Sequence, residues 1–386
     1  MPSPLMFCIL AFSGWALISM FYFTYRNGHL ASLQQIIDSG ILPGGERLEA
    51  AITGVSLLDQ ILVSFIPFFY PIVDGSTPNL SLHSVNFAGT LAAIWTLVSL
   101  EAMRAGSRGR LIAIPSFFGI MCQLCTFGVV MPIYVTLHLF TSPASFNPNR
   151  ENTDFPFFRV NTFLWSISNG YILPTILMAF PNMSKGLLPS KQHAIAFWQP
   201  WPIYISLIQY VLSKFSIICS CFGPQSNNIT SRQTKTRNGL RRIYAFAFSC
   251  AAIPHLASWT ISLAAWVFPT LFSPKTASTL APRNVFVNQF PWSSARPESL
   301  GVGTLWFLQW DHLIGAIVAL VWTAILYAAA HIECRIPISG FKLMLKVATF
   351  CVVAGIAGAA VELMWERDEL LLDLQDAKRD KTFKSQ

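Results

Sequence analysis

What constrains this chain most is a series of apolar stretches, each about as long as a bilayer's hydrocarbon core is thick and nearly free of charge. About 20 helical residues cross that core, and only a helix or a closed barrel satisfies its own backbone there. Such stretches stand near 5–25, 50–73, 85–103, 111–140, 160–180, 194–222, 243–272, 301–330 and 343–363. The expected fold is all-α, a polytopic transmembrane helical bundle of eight or nine spans over residues 1–365. The mixed charges from 366 to 386 read as an exposed extramembrane tail. Composition agrees: only 11% of the 386 residues are charged, against roughly 25% in a soluble domain. A soluble, disordered or collagenous chain is excluded.

The first stretch ends at Arg26 and has no basic region before it, so it reads as an anchor rather than a removable signal. The stretch over 111–140 exceeds one span and carries Pro115 and Pro132, which predicts a kinked or strongly tilted helix. The net charge of +8 sits in loops, where it points to topology and anionic headgroups, not nucleic acid. Two loops are basic: Arg104, Arg108 and Arg110, then Arg232, Lys235, Arg237, Arg241 and Arg242. Both prefer the cytosol, yet nine alternating spans place them on opposite sides. One placement, or the count, must give way. The sequons at Asn79, Asn182 and Asn228 are too short to fix sidedness.

A carboxylate at mid-membrane costs a few kcal/mol, so one that persists usually faces an interior cavity and is functional. Asp59 and Asp311 are the main candidates, with no Lys or Arg within a helical turn. Each lies nine or ten residues into its expected span, roughly 15 Å deep. If the span parity holds, they share a level, and Glu101 and Glu362 end their spans toward the same face. Glu101 also reads as an interfacial acid beside Arg104. His138 and His255 are lone histidines in apolar helices, each equally a packing residue. Trp306 and Trp310 are spaced i, i+4 around Asp311, where their faces could attract a cation or belong to an interfacial belt. The proposed set is Asp311, Asp59, Glu101 and His255 for catalysis, and Trp306, Trp310 and His312 for substrate binding.

The eight cysteines are scattered, and the Cys122/Cys125 pair lacks a second pair or histidines to complete a zinc site, so no metal is expected. Asp-rich diphosphate motifs, a D-x-D-D motif, a Walker loop, H-E-x-x-H and G-x-S-x-G are all absent. With these absences, the isolated acids in aromatic-rich spans such as Gln309-Trp310-Asp311-His312, and its overall length, the chain resembles the fungal integral-membrane terpene cyclases of meroterpenoid pathways. The similarity is to the longer ascofuranone and macrophorin type. The resemblance implies protonation of a farnesyl olefin, or of its terminal epoxide, on a polyketide-derived ring. Ring closure by cation–olefin attack follows, without metal or organic cofactor, in the endoplasmic reticulum membrane. Buried acids also serve proton- or cation-coupled transporters, which is the competing expectation. A non-catalytic membrane scaffold is the third.

Overall fold

The computed structural model describes residues 4–180, 188–222 and 229–384; Asn182, Asn228 and the last two residues of the tail lie outside them. The described residues are helical, with a single isolated β-bridge between Ile41 and Arg47. Seven helices are long and apolar enough to cross a membrane. They are α1 (Pro4–Arg26), α2 (Ser56–Val73), α3 (Pro78–Met103), α7 (Trp201–Cys219), α8 (Gln233–Val267), α9 (Leu300–Cys334) and α10 (Gly340–Leu374). The remaining expected stretches are built differently. That over 160–180 is α6, the run Phe157–Ile167, Ser168–Ile172 and Leu173–Ala179, with a π-helical middle. That over 111–140 is two short helices, α4 (Pro115–Cys125) and α5 (Phe127–Thr141).

α4 and α5 form a hairpin, not a kinked span. The rings of Phe118 and Tyr134 meet at 5.0 Å, whereas sixteen residues of continuous helix would hold them roughly 24 Å apart. The chain reverses at Thr126, whose backbone stands at φ 76°, ψ 154°. That region is essentially reserved for glycine, and a β-branched residue held there is strained by about 1–3 kcal/mol. The arms have 11 and 15 residues, or roughly 16 and 22 Å, too short to span a core of about 30 Å. The proline reading of 111–140 is therefore corrected: Pro115 opens α4 at its first turn, where its missing N–H costs nothing, and the break lies at Thr126.

α10 repeats the design. Gly355 is non-helical at φ 71°, ψ 177°, so α10 is two arms and not one continuous crossing, and Lys346 on the arm 340–354 pairs with Glu366 on the arm 356–374. Here glycine occupies the position that the geometry asks for. Both hairpins open toward the same end of the bundle. At that end Arg104 bonds the Thr153 carbonyl at 3.0 Å and Arg367 bonds that of Ala144 at 2.8 Å. Arg237 and Arg241 also reach Glu369 there, at 2.5 and 2.6 Å. The two basic segments thus share a side, the second being the opening turns of α8 and not a loop, and their apparent conflict came from counting a returning hairpin as a crossing.

The helix α2 is tied at both ends to one loop. Asp59 in its first turn binds residues 52–54, while Tyr70 near its last turn hydrogen-bonds Glu46 at 2.5 Å. The core proper is α3, largely buried and flanked by α8, α9, α10 and α2. α3 and α9 run in the same direction, since Thr77 packs onto Gly301 at one end and Trp322 reaches the neighbourhood of Glu101 through His138 at the other.

The expected exposed tail begins too early. Arg367 is fully buried, and Asp368 and Leu371 nearly so, because their neighbours supply opposite charges and an apolar seat.

Candidate functional site

Two polar centres lie at two levels of the bundle. The first surrounds Glu101, which is fully buried. Its carboxylate meets Arg104 Nε at 2.5 Å, Arg367 at 2.7 Å and His138 Nε2 at 3.2 Å. Arg104 closes the cluster by donating from Nη2 to both Asp368 oxygens at 2.6 and 2.8 Å, and the Tyr244 hydroxyl donates to Asp368 at 2.6 Å. Trp322 donates to His138 Nδ1 at 3.2 Å. Burial works against the Arg104 charge, but Asp368 and Glu101 more than offset it and raise the guanidinium above its ordinary range. Glu101 does pair with Arg104, as their spacing suggests, but it is not interfacial. Its charge is committed to two guanidinium groups, so it is a structural hub rather than a free acid.

The second centre lies about three helical turns away, roughly 16 Å, where the tips of both hairpins arrive. Asp311 on α9 is 6% exposed and accepts the Gly128 amide on Oδ1 at 2.6 Å. The Thr126 hydroxyl and the Phe127 amide face the same carboxyl. The acid is therefore seated on the N-terminus of α5, a site that favours a carboxylate oxygen through orphan N–H groups and the helix dipole. No Lys, Arg or His forms an ion pair with it among the described residues.

Aromatic groups line this level. Phe127 nests against Gly315 and stands 6.1 Å from Phe87, which stacks on His312 at 5.0 Å. His312 bonds the Thr90 hydroxyl at 2.9 Å and meets His83 edge-on at 5.3 Å. Phe286, close to His83, stacks on Trp259 at 4.2 Å.

The sequence-expected residues separate in space. Trp310, Asp311 and His312 are neighbours in the chain but turn toward α1, α5 and α3 respectively. Trp310 donates to the Gln289 carbonyl at 2.9 Å and meets Trp15 at 5.8 Å, and Trp306 stacks on Phe23 at 5.9 Å. Neither tryptophan joins Asp311. His255 on α8 bonds the Val352 carbonyl at 3.2 Å, covering the carbonyl end of the first α10 arm. It lies at the hairpin level, beside Gly355. His138 belongs to the Glu101 cluster.

Asp59 is the clear correction. It stands in the first turn of α2, not nine residues deep, and both its oxygens are used. Oδ1 accepts from Ile52 N, Thr53 N and Thr53 Oγ1 at 3.2, 2.8 and 2.8 Å, and Oδ2 from Gly54 N at 3.1 Å. Asp59 and Asp311 do not share a site. Asp59→Asn is expected to lower the stability of the protein through unsatisfied loop donors while leaving turnover per folded molecule intact. Thermal midpoint and specific activity, measured on the same detergent extract, check this.

Sequence reasoning missed the tip residues Thr126, Gly128 and Gly355, and the partners Arg367 and Asp368. The length of the 111–140 stretch was the available signal for the first hairpin. Among the described residues, no three His, Cys, Asp or Glu side chains converge as a metal site. Outside the spans, His29 is fully enclosed, and burial pushes its imidazole down to about 4. It packs on Gly303 as a neutral spacer.

The model of the CtvD domain matches residues 5–372. The chain is 31% identical to the terpene cyclase ctvD of Aspergillus terreus over 94% of its own length and 98% of the relative's. It is 28% identical to the terpene cyclase penA of Penicillium crustosum, covering 91% of this chain and 92% of that one. To the terpene cyclase ascI of Acremonium egyptiacum it is also 28% identical, over 94% and 91%. No solved structure matches the chain.

Proposed function

The chain belongs to the CtvD domain family, and from that premise we propose that it is a membrane-bound terpene cyclase acting on a prenylated, polyketide-derived ring. The substrate is a farnesyl chain, or its terminal epoxide, and the reaction is a protonation-initiated, metal-independent cyclisation. The observation that carries this reading is the placement of Asp311. It is a carboxyl at mid-bundle, pinned through one oxygen by the Gly128 amide and without an ion-pair partner among the described residues.

With Oδ1 held, Oδ2 is the oxygen that carries the transferable proton. The π pair of the terminal olefin takes that proton and leaves a tertiary cation; an epoxide takes it on oxygen and opens to the same kind of cation. Each following double bond then attacks in turn, forming one C–C bond and passing the charge along. Loss of a proton ends the cascade, so the olefin reaction is a net isomerisation. The aromatic layer formed by Phe87, Phe127 and His312 excludes water that would otherwise capture the cation, and ring faces stabilise positive charge. The common end of the basic segments faces the cytosol by the positive-inside rule, and the endoplasmic reticulum is the membrane we assign. The transporter reading has no counterpart among these relatives, which are named terpene cyclases.

The test is direct. Microsomes holding the protein are incubated with a farnesylated phenol or its terminal epoxide, with and without EDTA. Expected is a cyclised product of unchanged mass, formed equally in both arms. Absence of any cyclised product from either substrate overturns the substrate class, and abolition by EDTA overturns metal independence.

A further inference from the structure

Beside the Asp311 level, three buried side chains surround the short helix Pro282–Phe286, which is wedged against α3 and α8. Asn79 and His83 lie four residues apart on α3, one above the other on one face, and Gln309 comes from α9. They are 7%, 4% and 2% exposed. The orientation of both amides is settled by backbone acceptors. Asn79 Nδ2 donates to the Asn284 carbonyl at 3.2 Å, and Gln309 Nε2 to that of Val285 at 2.9 Å. Their oxygens must therefore point elsewhere, and neither Asn79 Oδ1 nor Gln309 Oε1 finds a hydrogen-bond partner among the described residues. Neither ring nitrogen of His83 completes a well-formed bond, although the Leu308 and Val285 carbonyls face the ring. Buried polar groups are nearly always paired, so two orphaned amide oxygens beside a buried imidazole call for a function.

We propose that His83 is the base that ends the cyclisation, with Asn79 and Gln309 as the acceptors that support it once it is charged. This rests on the cyclase reading above and adds to it the residue that terminates the reaction. In the last step the C–H bond next to the final cation breaks, and its electron pair closes the new C=C bond. The proton goes to the unprotonated imidazole nitrogen of His83. The resulting imidazolium has two N–H donors, and two fixed amide oxygens stand in its neighbourhood without a donor. An acid at one end of a folded chain and a base near the other is the arrangement such a cascade needs. The ring of His83 meets that of His312, which follows Asp311 in the chain and turns toward α3.

His83→Phe keeps a ring of similar size and deletes the lone pair. Microsomes carrying this variant and wild-type microsomes are given the same farnesylated phenol and its epoxide. Expected is continued consumption of substrate, with at least half of the product diverted to other alkene isomers, partly cyclised species or water-captured alcohols. A packing role would not move that ratio. Gln309→Leu should divert product in the same direction to a smaller extent. The wild-type product in wild-type proportion overturns the proposal. So does complete loss of consumption with the protein present at its normal level, since that places His83 at initiation. Should His83→Phe not accumulate in the membrane, His83→Gln decides by the same ratio. Failure of the wild-type protein to consume either substrate would instead overturn the cyclase reading itself.

Discussion

Asp311→Asn is expected to lower product formation by at least about 100-fold, since general acid catalysis contributes about 10²–10⁴ in rate. The geometry makes this a clean substitution. An asparagine Oδ1 can accept the Gly128 amide as the aspartate does at 2.6 Å, so the hairpin tip stays seated. The side chain keeps its volume and loses only the transferable proton. Protein level and thermal midpoint should be unchanged, which separates chemistry from folding. Asp311→Glu should retain partial activity only if the tip yields. A Cβ at Gly128 would already stand 3.2 Å from Asp311 Oδ1, so there is little room for an added methylene. An Asn variant that turns over at the wild-type rate would remove Asp311 from the mechanism.

The second large effect is on stability. Glu101→Leu leaves Arg104 and Arg367 buried, with Asp368 as their remaining carboxylate in the cluster. Breaking a buried pair by removing one partner costs about 3–5 kcal/mol, a large share of the roughly 5–15 kcal/mol that holds a protein folded. The folded fraction in mild detergent, followed by thermal unfolding, should fall sharply. Replacing Arg367 by Met in the same chain should recover part of the loss, because an apolar pair of similar volume avoids the uncompensated charge. An unchanged midpoint in Glu101→Leu would mean that the cluster is solvated and structurally idle.

Hydropathy makes the helices legible because lipid demands a uniform apolar surface, and most of the expected stretches have a long helix at their centre. It is blind to whether a stretch crosses or returns, since an arm reaching halfway needs the same residues as one passing through. The hairpins were visible only indirectly, through the excess length of 111–140 and the clash between the Arg104 and Arg237 loops. Asp311 could be found because a lone carboxylate in an apolar helix is costly. Asp59 looked the same in sequence, but its helix starts three residues before it, and helix starts are poorly marked in uniformly apolar segments. Arg367 and Asp368 read as tail because charges signal solvent unless their partners are known, and those partners come from α3 and α8. Asn79 read as a sequon. Its role depends on the carbonyl of Asn284, a contact that no local pattern announces.

The broken helices have one more consequence. A helix that stops inside the bundle leaves its last four carbonyls without intrahelical partners, so α4 and the first arm of α10 both deliver backbone oxygens to the interior. His255 takes one of them, the Val352 carbonyl. Carbonyl oxygens of this kind bring negative partial charge to the centre of the protein without adding a nucleophile that a carbocation could alkylate, as it could a carboxylate. The hairpins thus furnish electrostatic shelter of low chemical reactivity. For an intermediate that any stray base would destroy, that is a solvent made of peptide groups.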